Sequence, residues 1–170
     1  MAGNVEFKDY SIEVKAAIDD ETIAWLHTWS NEIAAQAQRN CQMAKEGEQI
    51  GRDLRGSYQT AVDESKGNAE IGSALEAAFW EEFGTGEYAA HGDGRKGWWV
   101  YVKGQASRGG GKTYRTKEEA EDAASFLRSR GLEAVATNGR PPNYTLGKAF
   151  TTVKPKAVSD LETRMKARMD

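Results

Sequence analysis

Residues 77–99, AAFWEEFGTGEYAAHGDGRKGWW, set an apolar run directly against closely spaced turn glycines, a combination that restricts the backbone severely. Phe79, Trp80 and Phe83 demand burial, while Gly84-Thr85-Gly86 and the run 92–97 force tight turns. The segment 77–83 reads as a strand or a short helix, and the Gly-Thr-Gly turn that follows at once favours the extended form. In an extended chain Glu81 and Glu82 point to opposite faces, which prevents them from flanking one bond as a pair of hydrolytic carboxylates must. The expectation is one exposed and one structural carboxylate, with Glu82 accepting backbone N–H bonds at Gly84 to Gly86, or Thr85 hydrogen-bonding the turn's backbone. Gly84 or Gly86 is expected at positive φ.

Upstream, from Asp20 to about Lys45, apolar residues fall at Ile23, Leu26, Trp29, Ile33, Ala37, Cys41 and Ala44, steps of three and four that lie on one helical face. This predicts one long amphipathic helix, capped by Asp19 or Asp20 and stopped by Gly47. Residues 54–63 read as a strand, 65–68 as a turn containing Gly67, and 69–73 as a short partner strand. Residues 98–103 (WWVYVK) form another strand, and 112–115 return beside it after the loop 105–111. Thr116 and Glu119 make a capping box for a helix reaching Arg130, with Ala120, Ala123, Ala124 and Leu127 on one face; Gly131 ends it and 132–137 is a further strand. Pro141 and Pro142 break the chain before 146–150, and a last helix is expected over 157–169. The fold expected is α+β, a single domain over 1–170: a long N-terminal helix on a small antiparallel sheet, an inserted ββαβ subdomain at 98–137, and a C-terminal helix.

Enzymatic chemistry finds little purchase. ASRGGGKT, residues 106–113, fits a relaxed phosphate-loop pattern, but such a loop needs a helix opening at its Lys-Thr, and the capping box delays the helix to Thr116. No later apolar strand ends in an Asp that would hold magnesium. His27 and His91 lack the spacing of metal ligands, and Cys41, the only cysteine, sits on the apolar stripe as a small hydrophobe. No catalytic, cofactor-binding or metal-ligating set is expected. Trp98 and Trp99 beside Arg95 and Lys96 could stack on single-stranded nucleic acid, but the formal net charge of −3 and strand alternation favour one Trp in the core and one at an interface.

Three segments in order, GRDLRGS (51–57), AEIGS (69–73) and EEFGTGEYA (81–89), resemble the motif set of the gene-product-ten-type neck proteins of long-tailed bacteriophages, a family similar to the minor tail protein Z group. The residues carrying the resemblance are Gly51, Leu54 and Arg55, then Trp80, Glu82, Phe83, Gly84, Thr85, Gly86 and Tyr88. TNGRPPNYTLGKAF (137–150) resembles the family's closing segment. The chain departs from the pattern at Glu48-Gln49-Ile50, where a Pro-Val pair is usual, and at Ala77, where an aromatic is usual.

The resemblance implies a structural virion protein at the head–tail interface, engaged in head–tail joining or tail completion without a catalytic step. Its partners would be other neck, connector or tail proteins and further copies of itself. A hydrophobic content of 39% with 29% charged residues suits a subunit that completes its burial in an assembly. Val158, Leu161, Met165 and Met169, a stripe on the last helix ringed by Lys and Arg, are the expected docking face. No stretch is apolar enough for a membrane span and the N-terminus lacks signal-peptide character, so synthesis and retention in the host cytoplasm until assembly are expected. The alternatives are a nucleic-acid-binding module near the DNA exit channel, or a nucleotide-binding enzyme using the loop 106–113.

Overall fold

The computed structural model describes residues 20–46, 49–104 and 111–169. In chain order they form α1 (Asp20–Asn40), α2 (Gln42–Lys45), α3 (Gln49–Ser57), β1 (Gln59–Asp63), β2 (Asn68–Gly72), α4 (Glu76–Phe83), β3 (Thr85–Gly86), β4 (Trp98–Val102), β5 (Thr113–Tyr114), α5 (Lys117–Ser129), β6 (Ala134–Thr137), β7 (Gly139–Arg140) and α6 (Thr145–Met169). The architecture is α+β, with a long N-terminal helix, small antiparallel sheets and a C-terminal helix. The chain divides into two compact units: one comprises 1–82 and 143–170, and the other, 83–142, is inserted in it.

In the first unit α1 lies along α6 and against the β1–β2 hairpin. Ile33, Ala37, Cys41, Leu54, Tyr58, Ile71, Leu146 and Val153 share one core, and Trp25, Leu26, Ala69 and Ala157 a second. The three-and-four spacing of α1 is thus its buried stripe, widened by Trp25, whose indole N–H donates to the Ala157 carbonyl at 3.0 Å. Where one helix to Lys45 was expected, α1 stops at Asn40: Cys41 takes an extended ψ of 106° and α2 restarts after it. Gly47, the expected stop, and Asp19, an expected cap, lie outside the described residues.

Three further expectations need correction. Residues 54–57 are helical rather than strand, because Leu54 enters the core from α3 and extended structure begins only at Gln59. The C-terminal helix begins at Thr145, not Ala157, and runs through Pro155. Residues 77–83 form a helix, not a strand, and this changes the reading of the whole motif. The buried positions of α4 are Ala77, Ala78, Glu81 and Glu82, spaced so that each Ala stands one turn before a Glu. At helical period the two neighbouring glutamates share a face; at strand period they would not.

The inserted unit opens with the β3–β7 ribbon, in which Thr85 pairs Arg140 and Gly86 pairs Gly139. Beyond it the expected ββαβ segment is present as a three-stranded antiparallel sheet of order β5-β4-β6, with α5 packed on β4 and β6 through buried Ala120 and Ala124. Thr116 caps α5, its hydroxyl accepting from the Glu119 N–H at 3.2 Å. The Glu119 carboxylate returns the bond to the Arg115 N–H, one residue before the cap.

Candidate functional site

The strongest concentration of buried polar chemistry lies at the C-terminal end of α4. Glu81 and Glu82 are 0% and 1% exposed, against an expectation of one exposed carboxylate. A carboxyl group at such depth needs hydrogen-bonding partners in place of its water. For Glu81 those partners come from two directions: the Gln42 N–H at 2.5 Å and the Met43 N–H at 3.3 Å from the opening turn of α2, and Asn143 Nδ2 at 3.0 Å and Thr145 Oγ1 at 3.2 Å from the segment entering α6. Glu82 accepts from the Leu146 N–H at 2.8 Å and the Gly147 N–H at 3.0 Å in the first turn of α6. Each carboxylate therefore sits against a helix N-terminus, where unpaired N–H groups and the helix dipole favour negative charge. The break at Cys41 supplies one of these termini.

The backbone of the same two residues binds the same returning segment. The Glu81 carbonyl accepts from the Asn143 N–H at 2.9 Å, and the Glu82 carbonyl from the Tyr144 N–H at 3.2 Å. Tyr58 is buried beside this cluster; burial first, then the neighbouring Cys41, Glu81 and Glu82, pushes its phenol well above the usual range, so it remains a neutral hydroxyl. No buried side-chain nitrogen or oxygen among the described residues lacks a partner. The two glutamates hold the chain where it leaves the first unit, after Glu82, to the chain where it re-enters, at Asn143.

The inserted unit is closed in its own way. Gly84 and Gly86 have φ of 73° and 62°, as expected for this turn. A Cβ on Gly86 would lie 2.5 Å from Trp99 Cη2 and closer still to the Asn138 carbonyl, so the ribbon's approach to the indole requires glycine. Of the two residues expected to brace this turn, Glu82 does not, since its carboxylate is engaged with α6. Thr85 does the bracing instead, its hydroxyl accepting from the Arg140 N–H at 3.1 Å.

The remaining residues singled out in the sequence divide between core and surface. Gly51 is buried against the Met43 backbone, Leu54 is in the core, and Trp80 packs on its margin. Phe83 stacks obliquely on His91, ring centres 5.0 Å apart. Arg55 and Tyr88 are exposed. On α6 the face that meets α1 is Leu146, Ala149, Val153 and Ala157, with Leu161 continuing it. Val158 points away from that face and is 43% exposed, Met165 is half-buried, and the Met169 side chain lies outside the described residues. An open groove of about 510 Å³ is lined by Trp29, Pro155, Lys156, Ser159, Asp160 and Thr163.

Other chemistry is sparse among the described residues. His27 is exposed and 3.3 Å from Glu64, and no group of three or more His, Cys, Asp or Glu is arranged to hold a metal ion. Of the loop 106–113 only Gly111, Lys112 and Thr113 are described, and α5 starts beyond them at Lys117. No described helix is long and apolar enough to cross a membrane. The missed members of the site are the Gln42 and Met43 N–H groups, Asn143, Thr145, Leu146 and Gly147; the Pro-Asn-Tyr-Thr sequence marks a turn before a helix but not the carboxylates that cap it. Compared with known proteins, the chain matches no family model, no curated protein and no solved structure.

Proposed function

We propose that this chain is a structural virion protein of a tailed bacteriophage, joining the DNA-filled head to the tail or completing the tail through oligomeric protein–protein contacts. One observation carries the reading. The two segments that resemble the neck family, around 80–89 and 137–150, bond to each other in both units, through Glu81 and Glu82 with residues 143–147 and through Thr85 and Gly86 with Arg140 and Gly139. Glu81, Glu82, Thr85 and Gly86 therefore share one architectural task, holding the returning segment. A docking subunit benefits from such closure, because a surface held rigid loses less entropy on assembly.

On this reading no catalytic step is carried out, and Glu81 and Glu82 serve as structural acceptors. Both glutamates are buried and engaged with backbone and side-chain donors, which leaves them unsuited to meeting a substrate. The N-terminus of α5 is capped by Thr116 instead of opening on Lys112-Thr113, which weakens the nucleotide-binding alternative. Partners on this reading are neck, connector or tail proteins and other copies of the chain, and its place is the virion neck. Tyr88 and Val158, both exposed, are offered as contact residues on the two units.

The test is a stop codon in this gene within the phage genome that carries it, followed by electron microscopy of the lysate. DNA-filled heads beside separate tails are expected. Normal tailed infectious particles, or heads that never fill, would overturn the proposal.

A further inference from the structure

The charge of the chain is unevenly shared. The inserted unit holds ten Lys and Arg against seven Asp and Glu, whereas the remainder holds thirteen against nineteen. Four of the seven acids, Glu118, Glu119, Glu121 and Asp122, belong to α5, so the excess of cations falls on the strands and their flanks. In β4 and β5 with their flanks, residues 94–104 and 111–117, there are six Lys and Arg and no acid.

Within that segment two lysines are placed over a pair of rings. Trp98 and Tyr114 are register partners on adjacent antiparallel strands, so their side chains stand on the same face. The Lys117 ammonium lies 6.0 Å from the centre of the Trp98 ring and the Lys112 ammonium 4.9 Å from that of Tyr114. Both rings are half-buried, both lysines are exposed, and neither lysine meets a carboxylate among the described residues. Arg115, also exposed, stands between them in sequence; the nearby Glu119 is engaged in the α5 cap through the Arg115 N–H. A cation over a ring is attracted to its face yet keeps its remaining N–H donors turned outward.

We propose that this cross-strand aromatic pair with Lys112 and Lys117 is a binding surface for single-stranded nucleic acid, phosphates meeting the cations and unstacked bases meeting Trp98 and Tyr114. Two adjacent rings, each with an ammonium group over it, pair aromatic surface with positive charge much as a single strand pairs bases with phosphates. A duplex hides its base faces, and a polyglutamate chain offers no rings to stack. The inference stands apart from the head–tail reading and does not require it.

The experiment is fluorescence anisotropy with the full chain and a labelled oligothymidylate of roughly 20 nucleotides, between about 25 and about 200 mM NaCl. The site variant is Lys112→Gln with Lys117→Gln. The control is Lys154→Gln with Lys156→Gln, which removes the same charge from α6, including a lysine that lies 5.7 Å from the Phe150 ring centre. Binding by the wild type is expected, about tenfold weaker in the site variant, with the log–log salt slope reduced by roughly 1.4 for two lost contacts at about 0.7 each. The control should change affinity less than about twofold, and near-ultraviolet circular dichroism should be the same for all three proteins. No anisotropy change with the wild type at the lowest salt, equal losses in both variants, preference for a duplex of the same length, or displacement by polyglutamate as effective as by unlabelled strand would each overturn it.

Discussion

Replacing Glu82 by Ala should be among the most damaging single changes in the chain. Its carboxylate is 1% exposed and accepts two backbone N–H bonds from the first turn of α6, at 2.8 and 3.0 Å. Each buried donor left without a partner costs about 1–3 kcal/mol, so two give roughly 2–6, and partial entry of water brings the expectation to about 3 kcal/mol. That is a large fraction of a typical folding stability of about 5–15 kcal/mol. Glu82→Gln keeps the volume and one acceptor but turns an amide donor toward one of the N–H groups; about half the loss is expected, near 1.5 kcal/mol. Urea unfolding followed by circular dichroism measures the difference, with Glu70→Ala on the exposed side of β2 as a control expected within about 0.5 kcal/mol of wild type. Amide hydrogen exchange should accelerate at Leu146 and Gly147 before the rest of α6. Wild-type stability in Glu82→Ala, or unchanged protection at those two amides, would refute the argument that the carboxylate holds the helix start.

Gly86→Val should destabilise the inserted unit by about 2–4 kcal/mol, combining the positive-φ penalty with the clash against Trp99 and the Asn138 carbonyl; a thermal melt unchanged from wild type would contradict this. Truncation after Phe150 removes Val153 and Ala157 from the cores and the acceptor of the Trp25 indole, so an insoluble or molten product is expected, read by near-ultraviolet circular dichroism. Asp63 is held down to about 2, first by its hydrogen bond from Lys66 and then by that from Ser65. Carboxyl NMR should find that low midpoint and see it rise toward the ordinary value of about 4 in Lys66→Ala. Because the folded value is depressed, its contribution to stability is present above about pH 4 and disappears as pH falls through 2.

The parts of the fold legible in sequence are those fixed by local pattern. The stripe of α1, the capping box of α5, the ββαβ order and the positive φ of Gly84 and Gly86 follow from neighbours a few residues apart. Residues 77–83 were open to strand or helix, and the glycine turn after them weighed wrongly toward the strand. The period decided everything downstream, since Glu81 and Glu82 share the buried face only in a helix. Their partners were illegible for a different reason: Glu81 caps α2 from 39 residues away and Glu82 caps α6 from 64, distances at which no local capping rule operates. The same holds for the break at Cys41, an apolar residue on an uninterrupted stripe, where a remote carboxylate satisfies the N–H groups that the break exposes.

The proposed role in head–tail joining is tested most directly by complementation. Purified chain would be added to a lysate of the phage whose copy of the gene is disabled, and infectious particles counted. Recovery of infectivity, with joined particles under the electron microscope and far less recovery from Gly86→Val protein, is the expected result. A lysate already infectious without the added chain, or tails left separate from filled heads after saturating amounts of folded protein, would contradict it.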